Sequence, residues 1–493
     1  IAIRENLIIA VGNNQEILDM QNTETSLIDL KGKTIMPGIV DPHSHLFFGS
    51  ELQLGLSFEE SQQLAIEKGI TTIGEISTTA ERFERMLNFE QEGKLRIRTS
   101  LYLRYTNPCG ELEGNWWMDH PSTDAWGEKL RIGGVKIFSD GGTCGTLAMS
   151  FEYPAGGHGD LWFTQEELDS IVAEINNAGF QVAIHAQGDL AVEQSQNAIE
   201  SALNGQPNTL RHRIDHNAIV LPDMLTRYSE IGIVPVIFGA FPTCNEQGII
   251  DRFGTEPLPY FENWNALLEA NPGLYIAWHS DAPNLVMDPI YNLYSYVTRK
   301  EIADDGTICE PSDWLEAHAI TVEQTLTIMT IGAAYALFRD DEVGSLKPGK
   351  LADIIILSDN PLTIEPDSLA SIHVLMTMVD GIVEYCKPGN DDLCPGNYGI
   401  SPLSDNPPFG SINSWPNPAT DHTTIQVFLN SQVEGEIVLY NLMGKEIDVI
   451  YQGIFQIGMN EILYQTDRLA NGIYFCHLTA DNQSCSMKMV IVR

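Results

Sequence analysis

The stretch Met36-Pro37-Gly38-Ile39-Val40-Asp41-Pro42-His43-Ser44-His45 joins an apolar run to two histidines spaced two residues apart. On a β-strand this spacing places both imidazoles on one face, about 7 Å apart along the chain, within reach of one metal ion. Taken alone, the pair is equally consistent with two polar residues at a strand end. The rest of the chain decides between these two interpretations.

From residue 34 onward, short β-branched runs recur, and most are followed by a helical pattern, as expected of a parallel α/β fold. Eight such runs occur, at residues 34–45, 69–76, 95–103, 132–140, 180–187, 211–217, 232–239 and 274–281. Helical patterns are predicted at residues 58–68, 79–92, 164–178, 190–203, 221–231 and 260–270. This alternation predicts a (β/α)8 TIM barrel, whose functional site lies at the carboxyl ends of the strands.

A chain of 493 residues exceeds the usual size of one domain, so we expect further domains around a barrel at residues 34–339. Residues 1–33 and 340–386 are strand-like and could form a small composite β-sandwich from both flanks. Residues 387–410 are rich in Pro, Gly, Asn, Asp and Ser, which indicates a linker. Residues 411–493 alternate strands and turns, which predicts a C-terminal all-β sandwich domain.

The composition is strongly acidic, with 67 acidic and 27 basic side chains and a formal net charge of −40. This argues against nucleic acid or an anionic membrane as a partner, because both require a basic surface. No apolar run approaches the roughly 20 residues of a membrane-spanning helix. The chain begins in strand-like sequence, so we expect N-terminal residues, including a signal peptide, to be missing.

Eight cysteines are too few for a disulfide scaffold at this length, but four lie late in the chain and in close pairs. Cys386 with Cys394 is one disulfide candidate. Cys476 with Cys485 is the other, because strands on either side of Ala480-Asp481 would set these residues opposite each other. A bridge there would imply an oxidising compartment, and two free buried thiols are the alternative.

Polar side chains end five of the eight predicted barrel strands, and in a closed barrel these ends converge on one mouth. They are His43 and His45 on the first strand, Lys136 on the fourth, His185 on the fifth, His216 on the sixth and Asp281 on the eighth. This set suffices for one or two divalent ions, with zinc expected, and leaves an open position for water.

Lys136 is the unusual member, because an ammonium group cannot bind a cation. If desolvation and nearby cations lower its pKa, the neutral amine can react with carbon dioxide to give a carbamate that bridges two metals. The alternative is an interior lysine paired with Asp140 or Asp281. We expect Asp281 to carry the proton from the attacking water to the leaving group, with ligation alone as the alternative.

Three weaker candidates follow from position in the predicted barrel. His279 shares strand parity with Asp281 and could orient that carboxylate, or simply pack in the interior. His158, in a glycine-rich segment, could reach the pocket. Cys144 lies in the loop after the Lys136 strand and could touch substrate, although an incidental thiol is the simpler interpretation.

These motifs together resemble the amidohydrolase superfamily, and most of all its YtcJ-like (amidohydrolase-3) branch. The resemblance covers residues 1–386 and rests on residues 36–45, 135–141, 184–189, 213–216, 279–283 and 344–353. It implies that His43, His45, Lys136, His185, His216 and Asp281 take the metal-site roles. It also implies that a metal-activated water hydrolyses a C–N bond, in an amide or cyclic amide of a small molecule. Members of that branch usually carry a long insertion between the first two barrel strands, whereas this chain has only residues 46–68 there.

The C-terminal part resembles the type A sorting domain of the type IX secretion system, an Ig-like sandwich. Residues 414–419, 437–445, 469–475 and 488–493 carry this second resemblance. It implies the type IX secretion machinery as a partner, and a secreted or outer-membrane surface location in a Gram-negative bacterium.

Two other functions remain open at this point. The same metal ligands could serve a deaminase or an esterase. A surface-displayed binding protein with a degenerate barrel is the non-catalytic alternative, and the full set of ligands argues against it.

Overall fold

The computed structural model describes residues 1–303, 305–394, 410–415, 419–429, 432–441, 445–456, 458–480 and 483–491. It has two compact units, one of residues 1–50 and 57–399 and one of residues 51–56 and 400–493. Among the described helices, none is both long and apolar enough to cross a membrane.

The first unit contains the predicted barrel, because eight parallel strands form one sheet in sequence order. The strands are Ile39–Ser44, Ile70–Thr78, Arg98–Arg104, Leu130–Phe138, Gln181–Ala186, Arg213–His216, Val234–Phe238 and Ala277–His279. The first and eighth strands meet through two backbone hydrogen bonds just beyond their ends. His45 N donates to Ala282 O at 2.7 Å, and Asp281 N donates to His43 O at 3.1 Å. The barrel is therefore nearly closed at the carboxyl ends of its strands.

A side chain also joins the two edge strands of the barrel. Asp41 is 1% exposed and accepts hydrogen bonds from Ser280 N at 3.2 Å and from Ser280 Oγ at 2.5 Å. Burial raises the pKa of this carboxyl group to about 7, although its hydrogen bonds oppose the change. These contacts fix residue 41 beside residue 280 and align the polar residues that follow both strands.

The predicted run 34–45 divides into two strands. Thr34–Pro37 pairs antiparallel with Ile354–Leu357, whereas Ile39–Ser44 pairs with the second barrel strand. Gly38 lies at the division, and a Cβ atom there would lie 2.3 Å from Thr71 Oγ1. Only glycine permits this close approach, so the backbone can leave one sheet and enter the next.

Helices cover the barrel, and each predicted helix is present, with residues 221–231 forming two short helices. The α-helices are Asn14–Leu18, Leu46–Leu54, Phe58–Glu67, Ala80–Gln91, Gln165–Asn177, Asp189–Leu203, Pro222–Leu225, Arg227–Ile231, Glu246–Phe253, Trp264–Ala270, Pro289–Thr298, Asp313–Glu316, Val322–Thr327 and Ala333–Ala336. A π-helical segment, Ile328–Gly332, joins the last two. Thr164 caps its helix through a capping box with Glu167, which satisfies two backbone N–H groups.

Strands from both ends of the first unit form a small β-region. One antiparallel sheet has the strand order Ile382–Cys386, Val374–Val379, Ile354–Leu357 and Thr34–Pro37, and Ala2–Arg4 pairs with Leu7–Ala10. Ile8, Ile354 and Met376 belong to one apolar core beneath these strands. The two flanks of the barrel thus meet in shared β-structure.

The second unit carries the predicted all-β sandwich. Its three-stranded sheet has the order Gly410–Trp415, His422–Leu429 and Gly458–Gln465, and its four-stranded sheet has the order Glu446–Phe455, Val433–Asn441, Gly472–Ala480 and Gln483–Ile491. Buried side chains from both sheets, including Val427 and Leu439, form one core. Residues 395–409 of the predicted linker lie outside the described residues, as do residues 416–418, 442–444 and 492–493 of the sorting-domain segments.

The cysteines pair differently from the prediction in all but one case. Cys386 and Cys394 form the predicted disulfide. The described residues contain two more, Cys109–Cys144 and Cys244–Cys309, each joining segments far apart in sequence. Cys144 is therefore not a thiol available to substrate, and that expectation was wrong.

The predicted Cys476–Cys485 bridge was also wrong. Ala480 pairs with Gln483, so Cys476 lies opposite Met487 and Leu478 lies opposite Cys485. The register is shifted by two residues from the one that a turn at Ala480-Asp481 would give. Cys476 is a free, buried thiol.

A buried ion pair connects the barrel to the small sheet. Arg98, on the third barrel strand, donates from Nε to Asp353 Oδ2 at 2.8 Å and from Nη2 to Asp353 Oδ1 at 3.1 Å. Both side chains are almost fully buried. Removing one partner would leave an uncompensated charge in the protein interior.

We expect Arg98→Met to lower the free energy of unfolding by about 3–5 kcal/mol, because it leaves the Asp353 carboxylate buried and unpaired. Urea unfolding followed by tryptophan fluorescence measures this change. Lys31→Met is the matched control, because its ion pair with Asp392 is solvent-exposed, and it should leave the curve unchanged. Equal curves for Arg98→Met and the wild type would contradict the prediction.

Candidate metal centre

Two histidines and one carboxylate meet at the junction of the first and eighth strands. Asp281 Oδ1 lies 3.3 Å from His43 Nε2 and 3.3 Å from His45 Nε2. His43 is fully buried, whereas the side chains of His45 and Asp281 are 21% and 16% exposed. The group therefore has a buried side and a side open to solvent.

Three imidazoles form a second group directly beside the first. The ring centroids of His43, His216 and His279 lie 4.7 to 4.8 Å apart in all three pairs. Each ring offers a nitrogen within 4.8 Å of the others, and the same holds for His43, His45 and Asp281. His43 belongs to both groups, and either set of donors could hold a metal ion.

Three buried nitrogens support this interpretation. His216 Nδ1 and both ring nitrogens of His279 have no hydrogen-bond partner among the described residues. Burial holds the pKa of both histidines well below the usual range, and the neighbouring imidazoles add to the effect. The rings are therefore neutral and have a lone pair available, which is the form that binds a metal. The residues present fit a divalent ion.

Asp215 orients His43 and was not singled out from the sequence. His43 Nδ1 donates to Asp215 Oδ2 at 2.8 Å, which leaves the Nε2 lone pair directed at the cluster. Burial alone would raise the pKa of Asp215, but Arg213, Lys136 and His43 hold it well below its usual range. The only sequence signal was its place one residue before His216, near the end of the predicted strand 211–217.

Lys136 is connected to the cluster through Asp215. Its Nζ atom lies 3.2 Å from Asp215 Oδ2, so its partner is neither Asp140 nor Asp281. Burial lowers the pKa of Lys136, and the charge of Asp215 opposes the change. Arg213 lies beside the same carboxylate, with Nε 2.9 Å from Oδ1.

His185 is close to the cluster but points elsewhere. Its ring centroid lies 4.4 Å from that of His216, and its Nε2 donates to Gly141 O at 2.8 Å. Burial lowers the pKa of His185 to about 3, with a contribution from Lys136. Neither donor group in the described residues includes His185.

His158 and His279, the weaker candidates, lie in very different places. His158 is exposed, and its Nδ1 lies 3.2 Å from Met149 O and 3.1 Å from Phe151 O, outside both donor groups. His279 is completely buried and stacks on His43. The sequence assigned these two histidines similar standing, and only the structure separates them.

Glu75, on the second barrel strand, is a further residue that sequence reasoning missed. Its carboxylate accepts hydrogen bonds from Phe47 N at 3.1 Å and Phe48 N at 3.4 Å, in the first turn of the helix that follows His45. Burial raises its pKa to about 7, although the charge of His45 and the hydrogen bonds oppose the change. A lone acidic residue in an otherwise uncharged strand was the available signal.

Comparison with known proteins identifies both parts of the chain. The model of the Amidohydrolase family matches residues 59–385, and that of the Secretion system C-terminal sorting domain matches residues 413–492. The first match begins after His45, so the first barrel strand lies outside the matched residues.

Individual relatives agree with the family match. Putative amidohydrolase YtcJ of Bacillus subtilis is 27% identical over 54% of this chain and 51% of its own length. N-substituted formamide deformylase of Arthrobacter pascens is 23% identical over 53% and 47%. The chain thus spans about half the length of these curated relatives.

A solved structure agrees with the fold. An uncharacterized metal-dependent hydrolase from Pyrococcus horikoshii superposes with a TM-score of 0.61 and 19% identity, over 74% of this chain and 94% of its own. Both resemblances noted in the sequence are confirmed. The chain belongs to the amidohydrolase family and carries a secretion system C-terminal sorting domain.

Proposed function

We propose that this protein is an exported metal-dependent hydrolase that cleaves a C–N bond of a small amide or cyclic amide with water. The observation that carries the proposal is the cluster of His43, His45, His216 and Asp281 at the carboxyl ends of the barrel strands, with unpartnered buried imidazole nitrogens. The name of the Arthrobacter relative, a deformylase of N-substituted formamides, supports an amide as the substrate class.

The proposed ligands are His43, His45, His216 and Asp281, with His185 and Lys136 as further members. Neutral imidazoles with one carboxylate suit zinc, and one or two ions are compatible with the number of donors. A bound divalent ion supplies an electrophile for the carbonyl group and lowers the pKa of water. His43 is held for this role by Asp215, which fixes the ring and its tautomer.

Asp281 is the proposed proton carrier. Burial alone would raise the pKa of Asp281, but hydrogen bonds and charges from His43 and His45 hold it well below its usual range. The carboxylate is therefore ionised at neutral pH and can accept a proton from the attacking water. It is also on the exposed side of the cluster, where it can deliver that proton to the leaving nitrogen.

A carbamate on Lys136 is a finer part of the proposal. The reaction needs a neutral amine, and burial of Lys136 favours that form. The amine nitrogen would form a bond to the carbon of carbon dioxide and release one proton. Arg213, which lies beside Asp215, would place its positive charge next to two anions, the carbamate and the Asp215 carboxylate.

Export is proposed from the second unit. The sorting domain implies the type IX secretion machinery as a partner and a secreted or cell-surface location in a Gram-negative bacterium. Three disulfides among the described residues support a route through an oxidising compartment.

We expect chelation to abolish hydrolysis and zinc to restore it, and Asp281→Asn to lower kcat about 100-fold or more because the proton carrier is lost. A panel of N-formyl amines and cyclic amides, with esters and amino-heterocycles as further arms, measures the reaction class. Asp340→Asn is the matched control, because Asp340 is similarly exposed but pairs with Arg211 away from the cluster. Hydrolysis that survives chelation, or that Asp281→Asn leaves intact, would refute the mechanism.

We expect deletion of residues 411–493 to retain the protein in the periplasm of a host with a type IX secretion system. Both the full chain and the truncated chain carry the host's own signal peptide, and fractionation with immunoblotting locates them. The full chain should reach the surface or the medium. A truncated chain that is exported equally well would contradict the role of the sorting domain.

A further inference from the structure

We infer that His279 is a direct ligand of the metal ion, and that it completes a buried three-histidine donor set with His43 and His216. The inference rests on the metal site of the proposed function but concerns a residue to which that function gives no role. It also predicts which class of ion the protein retains.

The three residues come from separate barrel strands. His43 lies on the first strand, His216 ends the sixth, and His279 ends the eighth. Their side chains are 0 to 2% exposed, and the three ring centroids form a nearly equilateral triangle of 4.7 to 4.8 Å. Nitrogens from all three rings lie within 4.8 Å of one another, so one ion could contact all three.

His279 has polar atoms that nothing else in the described structure satisfies. A neutral imidazole has one N–H donor and one lone pair, and neither ring nitrogen of His279 has a hydrogen-bond partner there. Burying such atoms without partners is unfavourable. A metal ion would engage the lone pair and remove part of that cost.

His212 indicates that burial in this barrel does not by itself leave imidazoles unpartnered. It is as buried as His279 and lies four residues before His216, just before the sixth strand begins. Its Nδ1 accepts a hydrogen bond from Val182 N at 3.1 Å, and its Nε2 lies 3.0 Å from Asn176 Oδ1. Both ring nitrogens of His212 therefore have partners, whereas neither ring nitrogen of His279 has one among the described residues.

Packing alone explains His279 less well. Its ring stacks on His43 and lies 4.6 Å from the ring of Phe238. These contacts use the faces and edges of the ring, and an apolar side chain could make them without burying two polar nitrogens. Packing therefore does not explain why the two ring nitrogens of His279 are buried without partners.

The donor set determines the class of ion. Three neutral imidazoles favour zinc, cobalt, nickel or copper over magnesium and manganese, which prefer oxygen ligands. His43 also belongs to the group with His45 and Asp281, whose side chains are 21% and 16% exposed, so the three-histidine set adjoins a side that substrate could reach. We expect the purified protein to retain a transition metal in the presence of excess magnesium.

Cobalt substitution tests the inference on the full chain without an activity assay. Apo protein is loaded with Co²⁺, its visible spectrum is recorded, and its zinc affinity is measured by competition with a chromogenic chelator. The variants are His279→Gln and the matched control His212→Gln, with His279→Phe as a second variant that retains ring packing. Circular dichroism and the melting temperature establish that each variant is folded.

We expect both His279 variants to change the cobalt spectrum and to weaken zinc binding by more than the roughly 10–100-fold that loss of an outer-shell partner costs. His212→Gln should leave the spectrum and the affinity unchanged. The inference would be overturned if both folded His279 variants kept the wild-type cobalt spectrum and lost no more zinc affinity than this range.

The two proposals fail separately. A wild type that binds cobalt through His279 but hydrolyses nothing in the substrate panel would contradict the proposed function and leave the inference standing. A wild type that hydrolyses an amide while the His279 variants bind metal as before would contradict the inference alone. A wild type that binds no transition metal would contradict both.

Discussion

The arrangement of the candidate metal donors depends on the junction between the first and eighth barrel strands. Two backbone hydrogen bonds, from His45 N to Ala282 O and from Asp281 N to His43 O, join chain segments more than 200 residues apart. Asp41 reinforces the junction by accepting two hydrogen bonds from Ser280. Because the strand ends are paired in this way, the carboxylate of Asp281 contacts both histidines of the opening motif. Without the junction, the donors would be distributed along an open sheet.

A second constraint is the network of charged side chains that contacts His43. Asp215 accepts from His43 and contacts Lys136 and Arg213, so one buried carboxylate organises an imidazole, a lysine and an arginine. This network explains why Lys136 is tolerated in the barrel interior, and it orients the Nε2 atom of His43. These polar contacts thus fix the orientation of His43 within the candidate site.

Much of the fold could be predicted from the sequence, because the eight β-branched runs and the intervening helical patterns are local signals. The run 34–45 was predicted as one strand but forms two, since only the tertiary contact of Gly38 with Thr71 reveals the change of sheet. The Cys476–Cys485 pairing failed because one turn position sets the register of the whole hairpin. The Cys109–Cys144 and Cys244–Cys309 bridges join segments far apart in sequence, whose proximity no local pattern encodes.

The candidate site could be predicted in its outline and not in its details. Strand-end position identified His43, His45, His216 and Asp281, because a barrel brings such ends together. It could not distinguish His279, which joins the cluster, from His158, which does not, and it missed Asp215, whose role depends on a contact with another strand.

Anomalous diffraction from crystals of the zinc-loaded protein, recorded on both sides of the zinc absorption edge, tests the central claim most directly. We expect an anomalous peak for zinc within bonding distance of the ring nitrogens of His43 and His216 and of the carboxylate of Asp281. The same map would reveal any carbamate on Lys136. Zinc found only at the protein surface, with these side chains bonded to one another instead, would contradict the account.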